Sequence, residues 1–373
     1  MRNTFLKSLG YITFSTSLVF AGLAHSAPSF QSAQPLSAGA WPNHSQDLCA
    51  VANETLKYLK QGPSYDPQAI HGGTVDGIKV PVHRIQDTLA FICQVYQEDL
   101  ATGASRLTDP DFINSAFERV QWLPDQAKAK SLSQDKPLLQ RLPSDQLLLT
   151  KYYVRMADGF PAKTAQSPHA LYGLPFDEAH LSLEEADARK DQITRYRFGK
   201  QAVLKGALET QPALAPPLIW LSRADLEGAL LQGTAVLEAE NQRRYFNVHR
   251  NNGIAYDRTQ KPEDQERYWY FKEVPGVLGY GKDADYKIPV KPKVTVAGDI
   301  FQLGLGRVVL LQTTEHGQPT FRLTVLADTG GAFHDNLYQL DWLSGYFRDW
   351  DHYYANNRHI ADYAKTWLLL KKE

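Results

Sequence analysis

The chain has 373 residues, and 43% of them are apolar, which is enough for two lobes around a substantial core and too long for one small domain. Its 40 basic and 41 acidic residues almost cancel. A balanced surface exerts no long-range pull on phosphates, so a nucleic-acid partner is not expected.

The first residues read as an export signal: Arg2 and Lys7 at the start, an apolar stretch from about Leu9 to Leu23, then small residues in Ala24-His25-Ser26-Ala27. Cleavage is expected after Ser26 or after Ala27. The stretch is short for a span and is interrupted by Ser15, Thr16 and Ser17, and no cysteine lies there to carry a lipid. No later segment is apolar enough to cross a membrane, so the expected location is the periplasm, with no membrane anchor. Residues 28 to 44 are rich in Ser, Pro, Ala and Gln and read as a flexible lead-in.

A helical region follows, to about residue 125. Leu48, Val51, Ala52, Leu56 and Leu59 share one face of a run that starts at Ser45 and stops at Gly62-Pro63. Ile85, Leu89, Ile92 and Tyr96 share a face of a second run. Cys49 lies early in the first and Cys93 late in the second, as an antiparallel pair joined by a disulfide requires; the alternative is two buried free thiols. A third helix is capped by Asp109, with Pro110 in its first turn and Phe112, Ile113, Ala116, Phe117 and Val120 on its apolar face. Residues 126 to 144 are polar and read as loop.

From about residue 145 the pattern changes to strands. Leu147 to Val154 carries the pair Tyr152-Tyr153. Residues 181 to 231 are partly helical. Strands then follow at Thr234 to Ala239, Arg244 to His249, Lys293 to Ala297, Arg307 to Gln312 and Thr320 to Ala327, punctuated by glycines. Many short strands with such turns suggest a closed barrel. The last of them runs into Ala327-Asp328-Thr329-Gly330-Gly331-Ala332, and Leu340-Asp341-Trp342 follows, which puts two carboxylates thirteen positions apart around a glycine pair. Asp299 lies upstream in Val296-Ala297-Gly298-Asp299. Acids on the turns of a small barrel suit glycoside chemistry, which needs positioned carboxylic acids.

Several segments taken in order resemble the membrane-bound lytic murein transglycosylase A family with its C-terminal three-aspartate domain. They are Leu149-Thr150-Lys151-Tyr152-Tyr153-Val154, Ala170-Leu171-Tyr172-Gly173-Leu174-Pro175, Tyr196-Arg197 with Gly206-Ala207-Leu208, and Gln232-Gly233-Thr234-Ala235-Val236. Next come Asn251-Asn252-Gly253-Ile254-Ala255-Tyr256, Tyr268 to Glu273 with Gly276 and Gly279, Val296 to Asp299 with Leu303-Gly304, and Asp328 to Ala332. The resemblance spans roughly residues 145 to 373. It implies a mainly β fold with α elements: a double-psi β-barrel with a smaller inserted β lobe, preceded here by a helical N-terminal region the family pattern does not cover. The implied division is a signal peptide over 1–27, lead-in and helical region over 28–144, barrel lobe over 145–169 with 271–373, and inserted lobe over 170–270. A glycan strand would lie between the lobes.

The sequence also departs from the family. The stretch from Ala332 to Asp341 is longer and lacks a second glycine, so Asp335 competes with Asp341 for the place of the last aspartate; Trp342-Leu343-Ser344-Gly345 favours Asp341. Phe301-Gln302 replaces an Ile-Pro, and Tyr346 to Ala361, with Asp349, Asp351, His352 and His359, is unusual. The two histidines follow no strong metal-ligand spacing and read as solvated loop residues; neither metal nor cofactor is expected.

The implied reaction cuts the MurNAc–GlcNAc bond of peptidoglycan without water, the muramic C6 hydroxyl closing onto C1 to give a 1,6-anhydro end. One acid then serves twice, and Asp341, between Leu340 and Trp342, is the expected general acid and base. Asp328 and Asp299 are expected to support it. Gly330-Gly331 should permit backbone conformations closed to other residues, with amides from Thr329 onward facing developing oxygen charge. Tyr153, Gln232, Gly233, Asn252, Tyr256, Thr329, Gly330 and Gly331 are the candidate sugar contacts. Expected partners are peptidoglycan glycan strands and other cell-wall enzymes. Two rival readings are a non-catalytic glycan-binding barrel and a hydrolase using Asp328 with Asp341.

Overall fold

The computed structural model describes residues 29–75, 77–283 and 286–373. The expected export signal lies outside them. Among the described residues no helix is long and apolar enough to cross a membrane.

Six strands close into a barrel: β1 (Leu147–Asp158), β2 (Thr295–Ala297), β3 (Val308–Glu315), β4 (Gln318–Asp328), β5 (Gln339–Phe347) and β6 (Tyr363–Lys371). Their order is β6-β3-β4-β2-β5-β1, and pairing of Leu147 and Leu148 with Ala364 and Tyr363 closes the ring. β2 runs parallel to β4 and β5 runs parallel to β1, while the other pairs are antiparallel. The expected closed barrel is therefore present. In β4 the alternation Phe321, Leu323, Val325, Ala327 against Arg322, Thr324, Leu326 would leave one face wet, yet every residue from Thr320 to Ala327 is buried. The barrel covers one face, and the first helix packs on this strand. Arg322 is tolerated there because it pairs with Glu315 and lies over the Trp342 ring at 5.0 Å.

The sheet continues beyond the ring at both ends. At the far end of β1, Met156–Asp158 pairs with Thr234–Ala239, followed by Gln242–Asn251 and Trp269–Val274. With the small His169–Tyr172 and Pro217–Leu221 sheet, these strands form the inserted β lobe around apolar clusters of its own.

The N-terminal helices Ser45–Leu59 and Val82–Thr102 are joined by the Cys49–Cys93 disulfide, with Cα atoms 4.7 Å apart. Their apolar faces merge with the barrel interior in one continuous core that includes Leu59, Leu89, Val308 and Leu340. The lead-in is not loose from Ser29 onward: Ser29–Ser32 forms a strand, and Trp41 stacks on Phe321 at 4.8 Å. The third helix stops at Ala116, and Phe117–Leu123 is a strand against β6. Its residues have acceptable helical spacing, but the open edge of β6 needs backbone partners, and that requirement overrides the local pattern. The expected loop over 126–144 holds two short helices, Gln126–Ser131 capped by Asp125 and Pro137–Gln140.

The helical region grips the barrel where backbone meets backbone. Gly304 has a φ of +81°, and a Cβ there would lie 2.0 Å from the His71 carbonyl oxygen. Arg307, fully buried, donates to the Leu303 carbonyl at 2.9 Å and to that of Gly72. Gly304→Ala should therefore destabilise the fold by about 2–4 kcal/mol, because the left-handed backbone and the blocked space add; urea unfolding followed by far-UV circular dichroism measures this.

Candidate active site

The three expected aspartates converge on the short strand β2. Ala297 is the register partner of Asp328 on β4 and of Asp341 on β5. The two acids thus stand on flanking strands, roughly 9–10 Å apart in backbone terms. Gly298 follows, and a Cβ on it would press on Leu340 at 2.8 Å and Leu326 at 3.1 Å. Its N–H donates to the Asp328 carbonyl at 3.2 Å, and its own carbonyl accepts from the Thr329 hydroxyl at 2.8 Å. Asp299 is fully buried and accepts from the Gln302 N–H at 3.0 Å, the Gln302 amide at 2.9 Å and the Asn336 N–H at 3.0 Å. It ties the connection between β4 and β5 to the end of β2.

Asp328 and Asp341 differ in their partners. Asp328 accepts the Tyr152 hydroxyl at 2.8 Å on one oxygen and the Thr329 N–H at 2.9 Å on the other. Burial pushes its carboxyl up to about 6, against the downward pull of those two donors. Asp341 is also pushed up to about 6, by burial first and then by the charge of Asp328, while the Thr150 hydroxyl and Lys151 pull the other way. Its Oδ1 is sealed from solvent and has no hydrogen-bond partner among the described residues. Asp328 therefore has two donors to hold it as an anion, where Asp341 has the Thr150 hydroxyl. The pair can hold a neutral acid beside a fixed negative charge.

Asp335 is exposed, bonded to Lys128 and to the Gln302 amide, and stands apart from this pair.

Several crystal structures share this architecture. A membrane-bound lytic murein transglycosylase from Agrobacterium tumefaciens superposes with a TM-score of 0.54 at 14% identity, over 92% of this chain and 98% of the other. MltA from E. coli with bound chitohexaose gives 0.54 at 16%, over 92% and 95%. MltA from Neisseria gonorrhoeae gives 0.55 at 15%, over 88% and 90%. The chain has the MltA fold. No family model and no curated protein sequence matches it.

Within this fold the remaining expected sugar contacts disperse. Tyr153 stacks on Tyr353 at 4.8 Å and meets Phe347 edge-on, whereas its neighbour Tyr152 reaches Asp328. Side chains alternate along a strand, and the sequence alone did not say which tyrosine of the pair faced the acids. Gln232 accepts the Arg155 N–H at 2.8 Å, and Gly233, with φ +72°, caps its helix. Asn252 is buried, with its amide donating to Phe198 and Glu266 carbonyls and its oxygen accepting the Tyr268 N–H, so it braces a turn and has no face for a sugar. Tyr256 lines a cavity of about 100 Å³ in the inserted lobe with Lys200, Glu227 and Trp269. Thr329 is spent on Gly298 and Asp328. Gly330 and Gly331 are exposed, but neither has a left-handed φ; Asp335, at φ +57°, takes that conformation in this connection. What the glycines supply is open space, since a Cβ on Gly331 would meet nothing within 4 Å. His359 stacks on His316 at 3.9 Å and His352 lies against Phe347. Thr150, opposite Asp341 in the register, was missed by sequence reasoning; a strand residue two before a tyrosine carries no signal of its own.

The raised value at Asp341 has a stability consequence of definite sign. Protonation stabilises the folded state fully below the unfolded carboxyl value of 3.8, and that stabilisation is lost as pH rises through about 6. Asp341→Asn should therefore match the parent near pH 4 and exceed it near pH 8 by about 1–3 kcal/mol, as read from denaturant melts at both pH values.

Proposed function

We propose that the protein is a periplasmic lytic transglycosylase that cleaves the MurNAc–GlcNAc bond of peptidoglycan, with Asp341 as its single acid and base. The observation that carries the reading is the carboxyl of Asp341: half-buried, with its Oδ1 sealed and unpartnered among the described residues, and across β2 from Asp328, which is held by Tyr152 and Thr329.

The neutral acid gives its proton to the glycosidic oxygen as the bond to C1 breaks, and the GlcNAc side leaves as an alcohol. Asp341, now a carboxylate, takes the proton from the C6 hydroxyl of the MurNAc residue, whose oxygen closes onto C1. No water enters, and Asp341 ends as it began. Positive charge that develops at C1 is favoured by the ionised Asp328. Asp299 acts through the backbone it holds. The glycan strand would lie between the barrel lobe, taken as 145–169 with 271–373, and the inserted lobe, taken as 170–270, with the 28–144 region bracing the barrel from outside. The E. coli relative of the same fold holds a chitohexaose, which supports a glycan as the ligand class here.

Incubation with purified murein sacculi, followed by mass spectrometry of the fragments, tests this. The expected products carry 1,6-anhydro ends, and Asp341→Asn should lower their yield by at least about 10³-fold while the fold is retained. Reducing ends would point instead to a hydrolase using Asp328 with Asp341, and binding without cleavage to a non-catalytic barrel. Because the acid must start protonated, kcat/KM should fall about tenfold per pH unit above about 6; a rate independent of pH between 5 and 8 would remove Asp341 from the acid's role.

A further inference from the structure

The helix Trp350–Asn357 joins β5 to β6 and presents two large aromatic side chains that the fold leaves uncovered: Trp350 is 63% exposed and Tyr354 is 53% exposed. They are four positions apart on one helix face, with ring centroids 6.5 Å apart and planes 22° from parallel. The residue beneath them does the packing. Tyr353 is buried, stacks on Tyr153 at 4.8 Å, and donates its hydroxyl to the Lys151 carbonyl at 2.9 Å. Asp349 caps the helix by accepting the His352 N–H at 2.8 Å, and the Asn357 amide donates to the Tyr353 carbonyl at 2.8 Å. The exposed rings therefore ride on a base fixed to β1, and Lys151 directly follows Thr150, the register partner of Asp341.

We propose that Trp350 and Tyr354 form a sugar-stacking subsite that holds a β-1,4-linked N-acetylhexosamine strand away from the bond at Asp341. This rests on the reading of Asp341 as the cleaving acid. Flat, electron-rich rings bind the C–H faces of pyranoses, and the spacing of the two rings is about one sugar unit. Asp349 and Asp351, both exposed, flank them. Carboxylates there accept hydrogen bonds from sugar hydroxyls and repel anionic lipid or nucleic acid. Arg348, the neighbouring cation, is already paired with Asp158 at 2.9 Å. A neutral polyol strand is the occupant that both the rings and the charges suit, and the helix that carries the rings directly follows β5, the strand of the proposed acid.

The test uses the full chain carrying Asp341→Asn, which binds without cutting, and chitohexaose as probe in isothermal titration calorimetry. Adding Trp350→Ala with Tyr354→Ala should weaken binding roughly tenfold or more, and adding Trp350→Phe with Tyr354→Phe should largely preserve it. Each single alanine variant should lose part of the affinity, which keeps the test readable if the double variant folds poorly. Unchanged affinity in the alanine variants overturns the proposal, as does the absence of binding by Asp341→Asn itself. It is equally overturned if the alanine variants keep their affinity and lose instead adsorption to phosphatidylglycerol vesicles, or self-association in sedimentation. The reading of Asp341 fails separately, when the unmodified enzyme yields no anhydro ends from sacculi.

Discussion

Everything at the site depends on a strand of three residues. β2 is inserted between β4 and β5, parallel to one and antiparallel to the other, so that Ala297 faces Asp328 on one side and Asp341 on the other. Without it the two acids would lie on strands with no common neighbour. Its end is fixed by Gly298, which has little room for a side chain and exchanges hydrogen bonds with the backbone of Asp328 and the hydroxyl of Thr329. Asp299 then clamps the following connection at Asn336. The three aspartates thus differ in their partners: Asp299 takes the Gln302 and Asn336 donors, Asp328 takes the Tyr152 hydroxyl and the Thr329 N–H, and Asp341 has one oxygen with no partner among the described residues.

That inequality is an electrostatic device. Burial raises both Asp328 and Asp341, yet two donors, the Tyr152 hydroxyl and the Thr329 N–H, oppose it at Asp328, and the Thr150 hydroxyl is the one that opposes it at Asp341. The charge of Asp328 adds to burial in raising Asp341, so the two carboxyls disfavour joint ionisation. A protonated Asp341 below about pH 6 follows first from burial and then from the charge of Asp328.

The N-terminal helices contribute mechanically. They share the barrel's apolar core, their disulfide joins the two helices to each other, and Phe117–Leu123 extends the sheet at β6. The contact of the 71–73 backbone with Leu303 and Gly304 reaches the helix that Asp299 caps. The helical region therefore buttresses the turn on which the acid frame rests.

The sequence by itself determined the elements whose signal is local: the periodic helices from Ser45 and Val82, the Asp109-Pro110 start, the strand from Leu147, and the acids bracketing a glycine pair. These follow from side-chain period, capping and chain reach, all of which act over a few residues. Only the tertiary structure decided what depends on which surfaces meet. It sent Phe117–Leu123 to a sheet edge in place of a helix, turned Tyr152 and not Tyr153 toward Asp328, and buried Asn252 in a brace. It set Asp335 out in solvent with Lys128, and it left Asp341 with an unpartnered oxygen. A hydrogen-bond partner 176 positions away, as Tyr152 is from Asp328, is fixed by barrel closure and strand register. Neither leaves a mark within a short window of sequence.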